Sequence, residues 1–304
     1  MKNVALFFSL IFFNYCFGQN CKLDGIIVDN QTNQPLPYAT LEIFSLKTGT
    51  ISDRDGKFSM AVASKDAKSD SVEFSYLGYE KMKLCLAEFI DSEQVIILKE
   101  KPILLEEVKI LPKEYYSEIV GIRDKEPSRV QYTGAFGANK GNFLENKNMQ
   151  AGWLKSVSFF LHEDGYPNCP FRVRIYKVGE NHKPAEDLLN ENLVVSAEKS
   201  GWFRIDVANY NIPFPKEGIF IMMEWINSGE AFFFEKEVTF KRKNGHTEKV
   251  KRKYYGQSLG TVKKKGGVHM WGNTLGNEWI PYDFNRKGYN INAMINAEIA
   301  YEKK

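Results

Sequence analysis

All five tryptophans of this 304-residue chain lie in its second half, at 153, 202, 225, 271 and 279. An indole offers a flat apolar face and one N–H donor, which suits stacking on a sugar ring while neighbouring polar groups take its hydroxyls. Two stretches have that make-up. Trp202, Arg204 and Asp206 alternate along the chain, so in a strand they share one outward face. Trp271, Asn273, Trp279 and Asp283 fall in WGNTLGNEWIPYD, which reads as a loop. These seven residues are the candidate ligand contacts. The bland alternative for each tryptophan is core packing, which is the expectation for Trp225 within its apolar run.

Catalytic groups are harder to find. A glycan hydrolase needs two carboxylates in one cleft, about 5–10 Å apart, and Asp206, Glu224, Glu278 and Asp283 are the pool. The four histidines are His162, His182, His246 and His269. His162 and Glu163 are adjacent and point to opposite faces of a strand, while Pro184 interrupts the helical spacing of His182 and Glu186. A zinc peptidase site is therefore not expected. Asp53-Arg54-Asp55-Gly56 lacks the closing glutamate of a calcium loop and reads as a tight turn. Cys169 lies between Asn168 and Pro170, with no helix start to acidify it. No nucleophile elbow and no phosphate-cradling loop is present. The expectation is no enzyme, no metal and no cofactor.

The net charge of +3 implies no polyanion partner by itself. One local feature is basic: Lys241-Arg242-Lys243 precedes Asn244-Gly245, and Lys249–Lys253 follows. Asn-Gly is a strong hairpin signal, and folding there brings the two runs together. The expectations are an anionic neighbour (an acidic glycan, lipopolysaccharide or acidic side chains of this chain), or a solvated hairpin that guards a sheet edge. Nucleic acid is not expected.

The elements that must position these groups are strands. Phe171, Val173 and Ile175 alternate with Arg172, Arg174 and Tyr176; Phe203, Ile205 and Val207 alternate with Trp202, Arg204 and Asp206. Ile219–Ile226 is apolar on both faces and predicts a central strand. Ile291–Tyr301 alternates again. This density of period-two pattern predicts a large antiparallel, jelly-roll-like sandwich over 131–304. Glu114–Arg129 reads as a short helix or linker.

The front of the chain has a different signature. Gly25-x-x-Val28-Asp29 leads to the strand Pro35-Leu-Pro-Tyr-Ala-Thr40. Then come Asp53-x-Asp-Gly-x-Phe58, Phe74-Ser-Tyr-Leu-Gly-Tyr79 and Ile96-Ile-Leu-Lys99. Turns between short strands argue for a small antiparallel sandwich. The order of these motifs resembles the carboxypeptidase-regulatory-like (transthyretin-like) domain of exported Bacteroidetes proteins. The resemblance implies a non-catalytic scaffold over 20–100. Cys21 and Cys85 both fall in it and could pair; the alternative is that Cys21, Cys85 and Cys169 are all free or buried. Leu104–Leu111 resembles the strand that often follows this module in TonB-dependent receptors. It falls in a 101–130 linker, and the transport function is not carried over.

Residues 1–19 have an early lysine, a short apolar stretch and Gly18 near the end, the pattern of a signal peptide. The apolar run is shorter than the ~20 residues of a spanning helix. The expectation is thus an all-β, exported, non-catalytic envelope protein in the periplasm, at the outer-membrane surface or secreted. It is not expected to be integral to the membrane. Its expected partner is a cell-surface or dietary glycan, or another envelope protein. The alternatives are a glycan-acting hydrolase and an accessory component of a transport or secretion complex.

Overall fold

The computed structural model describes residues 20–63, 70–88, 93–101, 114–241, 245–266, 269–282 and 288–303. The signal-peptide stretch, Leu104–Leu111 and Asp283 lie outside them. Among the described residues there is no α-helix, only strands and short 3₁₀ turns.

Seven strands form the first sandwich: β1 (Asn20–Asp29), β2 (Thr40–Ile43), β3 (Thr48–Ile51), β4 (Lys57–Ala63), β5 (Ser71–Ser75), β6 (Met82–Cys85) and β7 (Glu93–Leu98). They make two sheets of order β4-β1-β7 and β3-β2-β5-β6. Leu23, Ile27, Leu41, Ile43, Phe58, Val72, Phe74 and Ile96 pack between them. One pairing departs from the antiparallel expectation. β7 runs parallel to β1, with Ile27 opposite Ile96. The intervening strands cross to the other sheet and back, so the chain re-enters beside β1 in the same direction.

Turn chemistry shapes this module. Asp53 Oδ1 accepts the N–H groups of Asp55 and Lys57, both at 2.9 Å, and Gly56 takes φ +73°, where glycine is the least strained residue. Asp29 Oδ1 accepts the N–H and hydroxyl of Thr32 and the N–H of Gln31, while its Oδ2 accepts the Tyr79 hydroxyl at 2.9 Å. The Thr32 contacts lead the set that holds this carboxyl at about 2, well below its ordinary value. A depressed carboxylate stabilises the fold above its unfolded-state pKa of about 3.9, and that contribution drains as pH falls toward 2. Asp29→Asn is expected to flatten the acid limb of melting temperature against pH between 5 and 2, measured beside the parent. Parallel curves would contradict this role. Cys85 is a free, exposed thiol, so the pairing with Cys21 is not made.

The second sandwich begins with β8 (Tyr115–Gly121), β9 (Arg129–Thr133), β10 (Ala138–Leu144), β11 (Gly152–His162), β12 (Phe171–Val178), β13 (Pro184–Asp187), β14 (Val194–Val195) and β15 (Gly201–Asp206). It continues with β16 (Pro213–Phe214), β17 (Ile219–Trp225), β18 (Phe233–Lys241), β19 (Thr247–Lys265), β20 (Met270–Thr274), β21 (Ile280–Pro281), β22 (Tyr289–Ala293) and β23 (Ile295–Glu302). One sheet follows β13-β12-β17-β10-β20-β21 and the other β18-β19-β11-β23-β8, with short strands pairing off both paths. Val157, Phe159, Phe171, Val173, Ile221, Met223, Trp225, Ile295 and Ile299 fill the space between. β17 is buried along its whole length between β12 and β10, as its two-faced apolar run predicts. Trp225 is fully buried and donates its indole N–H to Gln257 O at 3.0 Å.

Three expectations change here. The 114–129 stretch carries a strand, β8, paired to β23 at the sheet edge. Its residues are mostly exposed on both faces, so no period-two signal marks it. The described part of the 271–283 stretch, 271–282, is a hairpin of β20 and β21, its turn at Leu275–Trp279. The basic hairpin forms, with Lys241 opposite Thr247, yet Lys249–Lys253 does not meet a second basic run. β18 places Glu235 and Glu237 opposite Lys253 and Lys251, and Glu237 binds Lys249 at 2.8 Å. Acidic side chains of this chain therefore supply part of the anionic neighbourhood expected for the arm.

Candidate functional site

The outer face of the β12–β17–β10–β20 sheet is polar at its centre. Because strand side chains alternate, putting Phe171, Val173, Ile221 and Met223 in the core sends Arg172, Arg174, Tyr176 and Glu224 to this face. The register sets Arg172 opposite Glu224, Glu224 opposite Asn139, and Asn139 opposite Asn273. Glu224 Oε2 is gripped at 2.7 Å by the Nε of both Arg172 and Arg174. Arg174 also binds Asp187 at 3.0 Å. Burial alone would raise the Glu224 pKa, but the two guanidinium groups together outweigh it and hold the carboxyl at about 2. Asp187 is shifted the other way, upward, chiefly by burial. Two cations thus face two carboxyl groups, and the floor is close to neutral.

The first sandwich stands over this floor. Arg172 donates to Tyr38 O at 3.0 Å, Asn227 to Ile51 O at 3.4 Å and Asn277 to Lys47 O at 3.1 Å. Glu42 Oε1 accepts the N–H of Gly276 at 2.9 Å. Between the two sandwiches runs an open cleft of about 2800 Å³, bordered by Glu42 and Tyr79 on one side and Asn139, Arg174, Tyr176, Glu224, Asn273, Trp279 and Tyr282 on the other. Trp279 meets Tyr176 edge to face, with centroids 5.4 Å apart. The Oδ1 atoms of Asn139 and Asn273 are buried there without a hydrogen-bond partner. Two ion pairs sit on the rim, Lys183–Glu278 and Lys177–Glu186, both at 3.0 Å.

Burial raises the Glu42 carboxyl above its ordinary value, against the pull of the Gly276 N–H. A raised carboxyl favours the fold below its unfolded-state pKa and loses that contribution as pH climbs through the folded value. Glu42→Gln keeps an acceptor for Gly276 and removes the charge. It is expected to raise the melting temperature at pH 7, with the gain vanishing near pH 4. Loss of stability at both pH values would contradict this.

The sequence candidates separate. Trp202, Arg204 and Asp206 do share an outward face, but on the opposite sheet. There Trp202 donates to Asp124 O at 3.2 Å and Arg204 binds Glu298 at 2.7 Å. Asp206 also borders one end of the cleft, where its Oδ1 accepts the Ala208 N–H at 2.9 Å. Trp271 packs edge to face on Phe220 at 5.8 Å and does not border the cleft. Asn273 and Trp279 do border it, with Glu224 and Glu278 of the carboxylate pool. Sequence reasoning missed Asn139, Tyr176 and Glu42 as cleft residues. The Arg-x-Arg-x-Tyr alternation was the visible signal for Tyr176; nothing marked the other two. Cys169 is fully buried, and burial pushes its thiol up to about 12.

The family described as the CarboxypepD_reg-like domain matches residues 23–110. The TonB-dependent receptor SusC of Bacteroides thetaiotaomicron is 26% identical over 165 residues, 52% of this chain and 14% of that receptor. Among solved structures, the major pilin subunit BcpA of Bacillus cereus is 11% identical over 94% of this chain and 96% of its own, at a TM-score of 0.19. The infectious bursal disease virus Gx strain structure is 8% identical over 93% of this chain and 59% of its own, also at 0.19. Scores that low carry no argument.

Proposed function

Residues 23–110 form a CarboxypepD_reg-like domain, and from that we propose that the chain is an exported, non-catalytic binding protein of the bacterial cell envelope whose cleft holds a neutral glycan. The first domain acts as a wall and positioner, the second as the binding floor, with the division in the 101–130 stretch and β8 already on the second side. The similarity to a stretch of SusC supports a role beside envelope uptake systems. No helix among the described residues is long and apolar enough to cross a membrane.

One observation carries the ligand class: two adjacent amide oxygens, on Asn139 and Asn273, without donors beside a charge-compensated floor. A buried acceptor left unmade costs about 1–3 kcal/mol. Sugar hydroxyls supply the donor without bringing a charge, and Tyr176, Trp279 and Tyr282 offer rings for the apolar sugar face. Screening the full chain on a glycan array tests this. Retention of one or more neutral oligosaccharides is expected; silence across the array would remove the carbohydrate reading.

The competing hydrolase reading draws on Glu42, whose carboxyl is raised by burial. Its partner would be Glu224, which two guanidinium groups already occupy. An array hit incubated with the protein is expected to stay intact. Release of new reducing ends would favour the enzyme instead.

A further inference from the structure

A second site lies away from the cleft, along β8. Among the described residues, β8 pairs with β23 and with nothing on its other side. The ladder fixes which backbone groups are spare. Ile122 N donates to Ile295 O at 2.9 Å and Lys303 N to Glu114 O at 3.2 Å. Antiparallel pairing then directs the amides of the even-numbered residues toward β23. The N–H and C=O groups of Ser117, Ile119 and Gly121 point the other way, unpaired.

A pocket of about 390 Å³ runs along that edge. Six consecutive residues, Glu118–Arg123, line it. Side chains of a strand alternate between faces, so a run of both parities fits a pocket that reaches the open edge of β8. Phe143, Leu144, Tyr301 and Asn292 also line it. Asn292 is 1% exposed, and neither its Oδ1 nor its Nδ2 has a hydrogen-bond partner. A donor–acceptor pair of that kind matches one peptide group. The lining also includes Arg123, Lys147, Lys264 and Lys265. Against them stand Glu145 and Glu118, the latter already accepting from Asn148 at 2.7 Å; Asp124 offsets Lys264 at 2.7 Å. Cations remain in excess.

We propose that this edge receives an extended peptide segment of another protein, adding a strand to β8 and setting a carboxylate of that segment against the Arg123–Lys265 rim. Main-chain hydrogen bonds supply affinity in such strand addition, while side-chain pockets and charge select the partner. The proposal is independent of the glycan reading, because the cleft lies on the outer face of one sheet and β8 at the edge of the other.

Fluorescence anisotropy on the full chain tests it with three labelled decapeptides. The first alternates valine with threonine or glutamate, the second replaces each glutamate by lysine, and the third repeats the first with alternate amides N-methylated. The acidic peptide is expected to bind at least ~10-fold tighter than either relative, and Arg123→Glu to weaken it by a similar factor. No binding of the acidic peptide, or equal binding of its N-methylated twin, would overturn strand addition. Equal binding of the lysine peptide would overturn the charge assignment. The peptide arms leave the protein unaltered, so the outcome does not hinge on whether a variant folds.

Discussion

Glu224→Ala is expected to destabilise the chain by about 3–5 kcal/mol, the usual cost of stripping one partner from a buried ion pair. Glu224 and Arg172 side chains are 3% and 1% exposed, so the guanidinium groups of Arg172 and Arg174 would be left without a full counter-charge, Arg172 almost entirely shielded from water. At roughly 2–4 °C per kcal/mol for a domain of this size, the melting temperature falls by about 10 °C. Calorimetry or a thermal melt at pH 7 checks it. A companion variant separates stability from design: replacing Arg172, Arg174 and Glu224 together by apolar residues, with Asp187→Asn so that no buried carboxylate is stranded, is expected to recover most of the loss, because well-packed apolar side chains commonly match a buried charge cluster. That quadruple variant also loses the Arg172 bond to Tyr38 O. It should therefore melt normally while holding the first sandwich less firmly, which limited proteolysis would detect. A fall below 1 kcal/mol for Glu224→Ala would mean that the network is wetter than its burial indicates.

Trp279→Ala is expected to weaken glycan binding by roughly 2 kcal/mol, or ~30-fold, as loss of a central aromatic anchor does. Asn273→Ala should cost about 1 kcal/mol, the scale of one hydrogen bond. Trp202→Ala is the internal control. It removes an indole that is 36% exposed on the opposite sheet, and affinity should not change. Titration calorimetry with any oligosaccharide retained on the array reads all three. Equal losses for Trp202 and Trp279 would move the site out of the cleft.

Much of the fold was legible because alternation survives in strands with one buried face. The contrast of Phe171, Val173 and Ile175 with Arg172, Arg174 and Tyr176 reports the sheet directly, and the apolar run at 219–226 reports its centre. Cross-strand register is not written in the same way. Arg172 and Glu224 are 52 positions apart in the chain and meet only through the pairing of β12 with β17. The same blindness hid Glu235 and Glu237 opposite the lysines of the arm, and the parallel step of β7 beside β1. β8 was hidden for another reason: an edge strand exposed on both sides has no burial pattern to reveal it. The aromatic candidates were chosen by residue type. Which of them shared a site depended on which sheet carried each, and two sheets with similar alternation give opposite answers for Trp202 and Trp279.

Hydrogen exchange of the full chain, with and without a retained oligosaccharide, tests the cleft most directly. Slowed exchange at 139–142 and 272–279, with 201–204 unchanged, is the expected pattern. Protection confined to 201–204, or none at either place under saturating sugar, would contradict a binding floor beneath the first domain.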